Sequence, residues 1–304
     1  MNNVAHALLR AASTLVSTLG LLAAQQTTFD FHSNFWVNLH HFLYEQASSK
    51  SPEPSDSAEW QHAIEVYRND IAKHELLSND IAGINASLAQ VESAASLNGS
   101  GIDAELTQTL ERAAPVYKAR WWPEHNRKNV EWIAVVTPLV VKYEAVMKKE
   151  LSSAYQTPWP TDKIRTDVSK YASWAGAYTL LDPTLITVSS KEPVTQTAVE
   201  TLFHEASHAM IQKVSDVMDT ELDAQKRVFK KRAFWHAVLL YTAGEIAQRH
   251  LDEYTMFGVK DGIFERAWPG ALPVLEKDWK PYLDGKIDLA TAARRLVEDY
   301  GVAK

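Results

Sequence analysis

Two histidines and a glutamate stand close together in the segment His204-Glu205-Ala206-Ser207-His208. On an α-helix, residues four apart project from the same face, one turn apart. Two imidazoles in that relation can occupy two corners of a tetrahedral zinc site. Glu205 points about 100° round the helix, where its carboxylate can reach a water at the open coordination position and take its proton. The spacing therefore predicts a mononuclear zinc site with hydrolytic chemistry.

The residues around this motif predict that it lies on a buried helix. The helix would begin near Pro193, with Thr197 and Glu200 as a capping box, and would continue to about Val214. Its apolar positions follow helical spacing at Ala198, Leu202, Ala206, Ala209 and Met210. Burial of unpartnered histidines is costly. This context favours a metal site over the alternative, in which both histidines are structural and hydrogen-bonded.

The motif resembles that of the zincin metallopeptidases, whose shared pattern HExxH reads HEASH here. The resemblance covers about residues 160–250. It implies zinc as the cofactor, a peptide or protein as the substrate, His204 and His208 as metal ligands, and Glu205 as the general base. In that family the last strand before the motif helix is an edge strand that binds the substrate backbone, and residues 185–189 match that position in chain order.

Under this resemblance the third metal ligand decides the subtype. The metzincin extension is excluded, because Ile211 and Val214 stand where it has glycine and histidine. The gluzincin pattern takes a glutamate from a following helix, and Glu245, 37 residues after His208, matches it. Gly244, next to that glutamate, would let its helix approach the motif helix closely.

His236 is the alternative third ligand, because it lies in an apolar stretch where a histidine needs a partner. Nine residues separate His236 from Glu245, so the two side chains point to nearly opposite sides of a regular helix. Both cannot bind one ion through that helix. Glu221 and Asp223 are further candidates, but their polar surroundings favour surface acids on a loop.

A hydrolase of this kind also needs a hydrogen-bond donor for the oxyanion. Tyr241 lies one turn before Glu245 on the same predicted face and is the first candidate, with core packing as the alternative. Weaker candidates at the end of that helix are Tyr254 and His250. Three other histidines have no carboxylate at a matching spacing and are interpreted as packing or groove residues: His40, His41 and His125.

The composition excludes some classes of protein. A chain of 304 residues can form one large or two ordinary domains. The net charge of −7 and the absence of a basic run exclude a nucleic-acid binder. The chain has no cysteine, which excludes disulfides and thiolate zinc ligands.

The N-terminus has the pattern of a signal peptide. Residues 11–24 form an apolar run of small residues of about the length of a signal-peptide core. Cleavage would leave Gln25 as the first residue and place the protein in the periplasm or outside the cell. The alternative is an amphipathic first helix of the folded domain. No later segment predicts a membrane span.

The expected fold class is α+β and predominantly α-helical. The chain would comprise a signal peptide (1–24), a helical N-terminal region (25–156), a zincin-like catalytic region (157–260) and a C-terminal helical segment (261–304). The sequence TPWP at 157–160 cannot continue a helix. Three strand-like segments, 164–171, 177–181 and 185–189, then predict a small antiparallel meander before the motif helix.

These observations favour a secreted or periplasmic, gluzincin-like zinc metallopeptidase. Water would attack a peptide carbonyl polarised by the metal, and Glu205 would take the proton. Two alternatives stay open. One is a zincin-fold protein that hydrolyses a non-peptide amide or ester, and the other is a non-catalytic exported binding protein.

Overall fold

A computed structural model of the chain describes residues 27–91 and 96–304. The expected leader at 1–24 lies outside these residues. Within them, no helix combines the length and the apolar character that crossing a membrane requires. The described residues divide into two compact units, the first formed by 27–91, 96–138 and 162–194 and the second by 139–161 and 195–304. The three predicted strand segments therefore group with the N-terminal helices, and the C-terminal segment groups with the motif helix.

The first unit is built mainly from helices that begin at side-chain caps. Asn34, Ser57 and Asp103 each accept a hydrogen bond from a backbone N–H of the first turn, as N-cap residues do. The helices are α1 (Phe35–Ser48), α2 (Ala58–Asn69), α3 (Asn79–Gln90) and α4 (Ala104–Arg120), with a 3-10 turn at Ile71–Lys73. A long helix, α5 (Trp122–Tyr155), contributes residues to both units.

The first unit also holds a four-stranded sheet. Its strands are β1 (Phe29–His32), β2 (Ile164–Ser169), β3 (Ala177–Leu181) and β4 (Thr184–Ser189), in the order β1-β2-β4-β3. β3 and β4 form an antiparallel hairpin, as predicted. However, β2 pairs with β4 in parallel, and β1 pairs with β2 in parallel. The predicted antiparallel meander is therefore wrong, and the sheet is mixed.

The position of β4 differs from that of the edge strand that the resemblance implied. β4 lies between β2 and β3, and its residues 185–188 are all buried, as in a strand covered on both faces. A strand with a neighbour on each side has its backbone hydrogen-bonding groups engaged. A substrate therefore cannot pair with β4, and the open edges of the sheet are β1 and β3.

The core of the first unit contains the three histidines for which the sequence predicts packing or groove positions. His40 Nδ1 lies 2.7 Å from the Tyr67 hydroxyl, and His41 Nε2 lies 2.8 Å from the Tyr178 hydroxyl. His125 contacts a third tyrosine in the same way. All three histidines are buried. Burial lowers the pKa of His40 to about 3, and burial together with the neighbouring imidazole lowers the pKa of His41 well below its ordinary value.

The second unit holds the motif helix and the elements packed around it. Its helices after α5 are α6 (Gln196–Ser207), α7 (Gln212–Ala224), α8 (Phe234–His250), α9 (Phe257–Lys260), α10 (Ile263–Ala267), α11 (Ala271–Val274), α12 (Lys280–Leu283) and α13 (Leu289–Tyr300), with a π-helical turn at Leu275–Trp279. β5 (Arg227–Phe229) pairs antiparallel with β6 (Gly301–Ala303). The described chain is α+β and predominantly α-helical, which confirms the expected fold class.

The polar stretch after the motif is a helix and not the expected loop. α7 covers most of residues 215–226, and it buries Val214 and Met218, four residues apart, while most of its polar side chains stay outside. This is the pattern of an amphipathic helix with a narrow apolar face. The motif helix correspondingly ends earlier than expected, at Ser207.

Candidate functional site

The motif helix α6 begins at a different cap from the one predicted. Thr195 is its N-cap, and the Thr195 hydroxyl accepts a hydrogen bond from the Thr197 backbone N–H. Glu200 has no role in this cap, and its side chain is fully buried. The helix ends just before His208, which still has helical dihedral angles (φ −57°, ψ −32°). The rings of His204 and His208 therefore stay on one side, with centroids 5.2 Å apart.

The third imidazole of the site comes from α8, which packs against α6. His236 is the third residue of α8, directly after Phe234 and Trp235. Its Nε2 lies 3.2 Å from His204 Nε2, and its ring centroid lies 5.1 Å from that of His208. One nitrogen from each of the three histidines lies within 4.8 Å of the others. We call His204, His208 and His236 the histidine cluster. In the described part of the chain, it is the one group of three or more histidine, aspartate or glutamate side chains that could hold a metal ion.

The three imidazoles of the histidine cluster are neutral near pH 7. Burial lowers the pKa of His208 to about 3 and that of His236 to about 4. The pKa of His204 is lowered well below its ordinary value, first by burial and then by the two neighbouring imidazoles. A neutral imidazole carries the lone pair that a metal ligand needs. The cluster is therefore in the protonation state that a divalent cation requires.

Glu205 lies beside the histidine cluster without being part of it. Its Oε2 is 3.9 Å from His208 Nε2, and its side chain is 8% exposed. The side chain of His208 is 19% exposed, so this end of the cluster is open to solvent. A carboxylate at this distance can exchange a proton with a water that enters beside the histidines.

Aromatic rings surround the histidine cluster on several sides. Phe257 lies edge-on to His204, Trp235 edge-on to His208, and Trp268 edge-on to His236, with ring centroids 5.7 to 6.4 Å apart. Trp235 is exposed at the rim, whereas Trp268 is buried. Apolar walls of this kind lower the local dielectric constant and strengthen the electrostatic interactions inside the site.

The structure does not bring Glu245 to the histidine cluster. Glu245 is buried on the other side of α8, where its Oε1 accepts hydrogen bonds from Arg249 and Lys280. The physical reason is the nine-residue separation from His236, which turns the two side chains to opposite sides of the helix. The alternative ligand, His236, is the residue that faces the motif.

Tyr241, expected to be the oxyanion donor, lies on the same side of α8 as Glu245. It is buried, and its ring stands edge-on to Phe264 at 6.2 Å. Burial is the main cause that raises the pKa of Tyr241, and the nearby charge of Glu245 raises it further. Tyr241 is a core residue here, which was the alternative interpretation.

The remaining candidates also have partners outside the histidine cluster. Asp223 pairs with Lys304 at 2.7 Å, and His250 Nε2 lies 2.6 Å from Glu150 Oε1. Glu221 lies on α7, where it accepts a hydrogen bond from the side chain of a residue one turn later. These three residues are therefore surface or ion-pair groups in the structure.

Glu200 is buried in the structure and takes no part in the capping box that the sequence predicts. Its Oε2 accepts hydrogen bonds from the Tyr254 hydroxyl at 2.5 Å and from the Phe257 backbone N–H at 3.0 Å. Burial raises its pKa to about 7, and these two hydrogen bonds act in the opposite direction. The signal in the sequence was its position four residues before His204, on the same face of the helix.

The histidine cluster could hold a zinc ion, and one pair of its nitrogens already has the spacing of two zinc ligands. Zinc–nitrogen bonds of 2.0–2.1 Å at tetrahedral angles place two ligand nitrogens about 3.3 Å apart, and the two Nε2 atoms of His204 and His236 are 3.2 Å apart. Three histidines leave one coordination position open, as in catalytic zinc sites.

Comparison with known proteins finds no matching family model and no significantly similar curated protein or solved structure.

Proposed function

We propose that this protein is a zinc-dependent hydrolase of the metallopeptidase kind, with His204, His208 and His236 as the metal ligands. The observation that carries the proposal is the convergence of three neutral, largely buried imidazoles from two helices beside the carboxylate of Glu205. Three largely buried imidazoles lose their hydration, and the one Nε2–Nε2 hydrogen bond between His204 and His236 compensates only part of that loss. Binding one cation would compensate all three at once.

In this proposal each residue of the chain has a separate task. Zinc, when bound, supplies Lewis acidity, which polarises a carbonyl and makes a water more acidic. Glu205 takes the proton of the attacking water and returns it to the leaving group. The aromatic residues Phe257, Trp235 and Trp268 restrict the access of bulk water from several sides.

The class of substrate is inferred from the resemblance of HEASH to the zincin motif. The histidine cluster and Glu205 serve the hydrolysis of any amide or ester by the same chemistry. An assay therefore has to include a library of peptides of varied sequence together with aryl amides and aryl esters. Cleavage of peptides that a chelator abolishes and zinc restores supports the metallopeptidase.

The mechanism is tested by the variant Glu205→Gln, which keeps the size of the side chain and removes its basicity. The purified wild-type chain is expected to hold about one zinc per molecule, measured by elemental analysis. The variant is expected to keep that zinc and to lose hydrolysis by about 10²- to 10⁴-fold, because a general base contributes that much. Full activity in the variant, or a wild-type chain without stoichiometric zinc, would contradict the proposal.

A further inference from the structure

Two polar atoms of helix α6 are buried without a hydrogen-bond partner, one turn apart. They are Oε1 of Glu200 and Nδ1 of His204. In the described part of the second unit, the other buried side-chain atoms without a partner are Trp159 Nε1 and Asp278 Oδ2. A buried polar group without a partner costs free energy. Glu200 Oε1 is an acceptor, and His204 Nδ1 is a donor when it carries the ring proton. The two atoms lie on the same face of α6, where each could satisfy the other.

The carboxylate of Glu200 is held from one side. Its Oε2 accepts hydrogen bonds from the Tyr254 hydroxyl and from the Phe257 backbone N–H, so the free oxygen is Oε1. The neighbouring helix α8 leaves room for that oxygen at Gly244, where an added Cβ would come within 2.9 Å of it. The glycine and the two hydrogen bonds thus present one acceptor oxygen in a tightly enclosed space.

The imidazole of His204 has one nitrogen in the histidine cluster and one outside it. Its Nε2 lies 3.2 Å from His236 Nε2 and belongs to the histidine cluster. Its Nδ1 is therefore the atom that remains for a hydrogen bond. A histidine that binds a metal through one nitrogen donates the N–H of the other to a carboxylate, carbonyl or water, and this hydrogen bond sets the tautomer.

We propose that Glu200 is a positioning residue for the histidine cluster, with its Oε1 accepting the hydrogen bond of His204 Nδ1–H. This inference rests on the proposed metal site and adds a residue to it. The glutamate and the histidine are four residues apart on one helix, where side chains are neighbours, and each has one buried polar atom without a partner. The hydrogen bond holds the proton on Nδ1 and keeps the lone pair on Nε2, which lies 3.2 Å from His236 Nε2.

The variant Glu200→Gln replaces the acceptor that faces His204 Nδ1 with a donor and preserves the shape of the side chain. The Tyr254 hydroxyl and the Phe257 N–H are both donors, so the single oxygen of glutamine stays with them and the amide –NH₂ faces His204 Nδ1. A donor at that place favours the lone pair on Nδ1 and the proton on Nε2. The variant therefore selects the tautomer that cannot bind a metal through Nε2.

Two measurements test the inference on the full chain. Zinc affinity is measured by competition with a chromogenic chelator, and Glu200→Gln is expected to weaken it roughly 10- to 100-fold, as loss of an outer-shell partner does. The tautomer of His204 is read from the ¹⁵N chemical shifts of its ring in metal-free protein. The wild type is expected to show Nδ1–H, and the variant Nε2–H.

Glu245→Gln is the matched control, since it makes the same exchange at another buried carboxylate, which lies outside the histidine cluster. It is expected to leave both the tautomer of His204 and the zinc affinity as in the wild type. An Nε2–H tautomer of His204 in the metal-free wild type would overturn the role of Glu200. So would an unchanged zinc affinity in Glu200→Gln.

The metal-free measurement separates this inference from the proposed function. If the wild-type chain shows the Nδ1–H tautomer but binds no zinc, the proposed hydrolase fails while the hydrogen bond from His204 to Glu200 stands. If the wild type binds zinc and shows Nε2–H without it, the hydrogen bond fails while the metal site stands. If Glu200→Gln does not fold, the ¹⁵N shifts of the wild-type ring decide alone.

Discussion

At the scale of single residues, the direction of each side chain on α8 separates the proposed metal ligand from its neighbours. His236 faces the motif helix, whereas Glu245 is neutralised by Arg249 and Lys280 on the other side. A carboxylate already paired with two cations gains little by leaving them for a metal ion. The same helix therefore supplies one proposed metal ligand and one ion-pair network.

The two candidate third ligands are distinguished by a pair of substitutions. His236→Gln is expected to lower the affinity for zinc by more than the roughly 10- to 100-fold caused by loss of an outer-shell partner, because it removes one of three direct ligands. Glu245→Gln is expected to keep the affinity of the wild type. The measurement is competition with a chelator at constant pH, and the reverse ranking of the two variants would reinstate Glu245 as the ligand.

At the scale of elements, the close approach of α8 to α6 depends on a glycine. An added Cβ at Gly244 would lie 2.8 Å from Met256 Cβ and 2.9 Å from Glu200 Oε1. The sequence predicted this approach from the small residue beside Glu245, and the structure confirms it. The buried glutamate of α6 and the segment that carries Phe257 meet at this point, so the packing of the two helices and the site are coupled.

Gly244→Ala is expected to lower the free energy of unfolding by about 1 to 3 kcal/mol, the usual cost of overpacking a closed site. The matched control is Gly83→Ala in α3, where an added Cβ meets nothing within 4 Å. That exchange is expected to be neutral or to stabilise by up to about 1 kcal/mol, because alanine restricts the unfolded chain. Urea denaturation of both variants checks the prediction, and equal stabilities would contradict the packing argument.

At the scale of the whole molecule, stability depends on histidines that are buried without charge in both units. His40 and His41 are fully buried in the first unit, where Tyr67, Tyr178 and Asn85 surround them. Their pKa values are lowered, mainly by burial. The folded state therefore binds fewer protons than the unfolded chain below the ordinary histidine pKa of about 6.5. Their contribution to stability is complete above that pH and is lost progressively as the pH falls toward the folded-state pKa, which is about 3 for His40.

This linkage predicts a slope in the free energy of unfolding of about 1 kcal/mol per pH unit for each such histidine. Unfolding by urea is followed by tryptophan fluorescence between about pH 7.5 and 4.5, with a chelator present so that metal binding does not contribute. The variant His40→Gln removes one titrating group and is expected to show a shallower slope than the wild type. Identical slopes would show that His40 does not couple folding to pH.

The sequence by itself determined what depends on local spacing. The helical period places His204 and His208 on one side of α6, with Glu205 beside them, and this needs no knowledge of the rest of the chain. The predominance of helix followed from apolar periodicity in the same way. The small residue at Gly244 indicated a close contact between helices before its partners were known.

Only the tertiary structure decided which distant residues join these groups. Residues 237–247 of α8 are all buried, so its apolar pattern covers every face and does not indicate whether His236 or Glu245 meets α6. The order of the sheet likewise depends on pairing between strands far apart in sequence. The spacing of Glu200 to Thr197 is local and predicts a capping residue. Its partners Tyr254 and Phe257 come from over fifty residues away and reach it only after the chain folds.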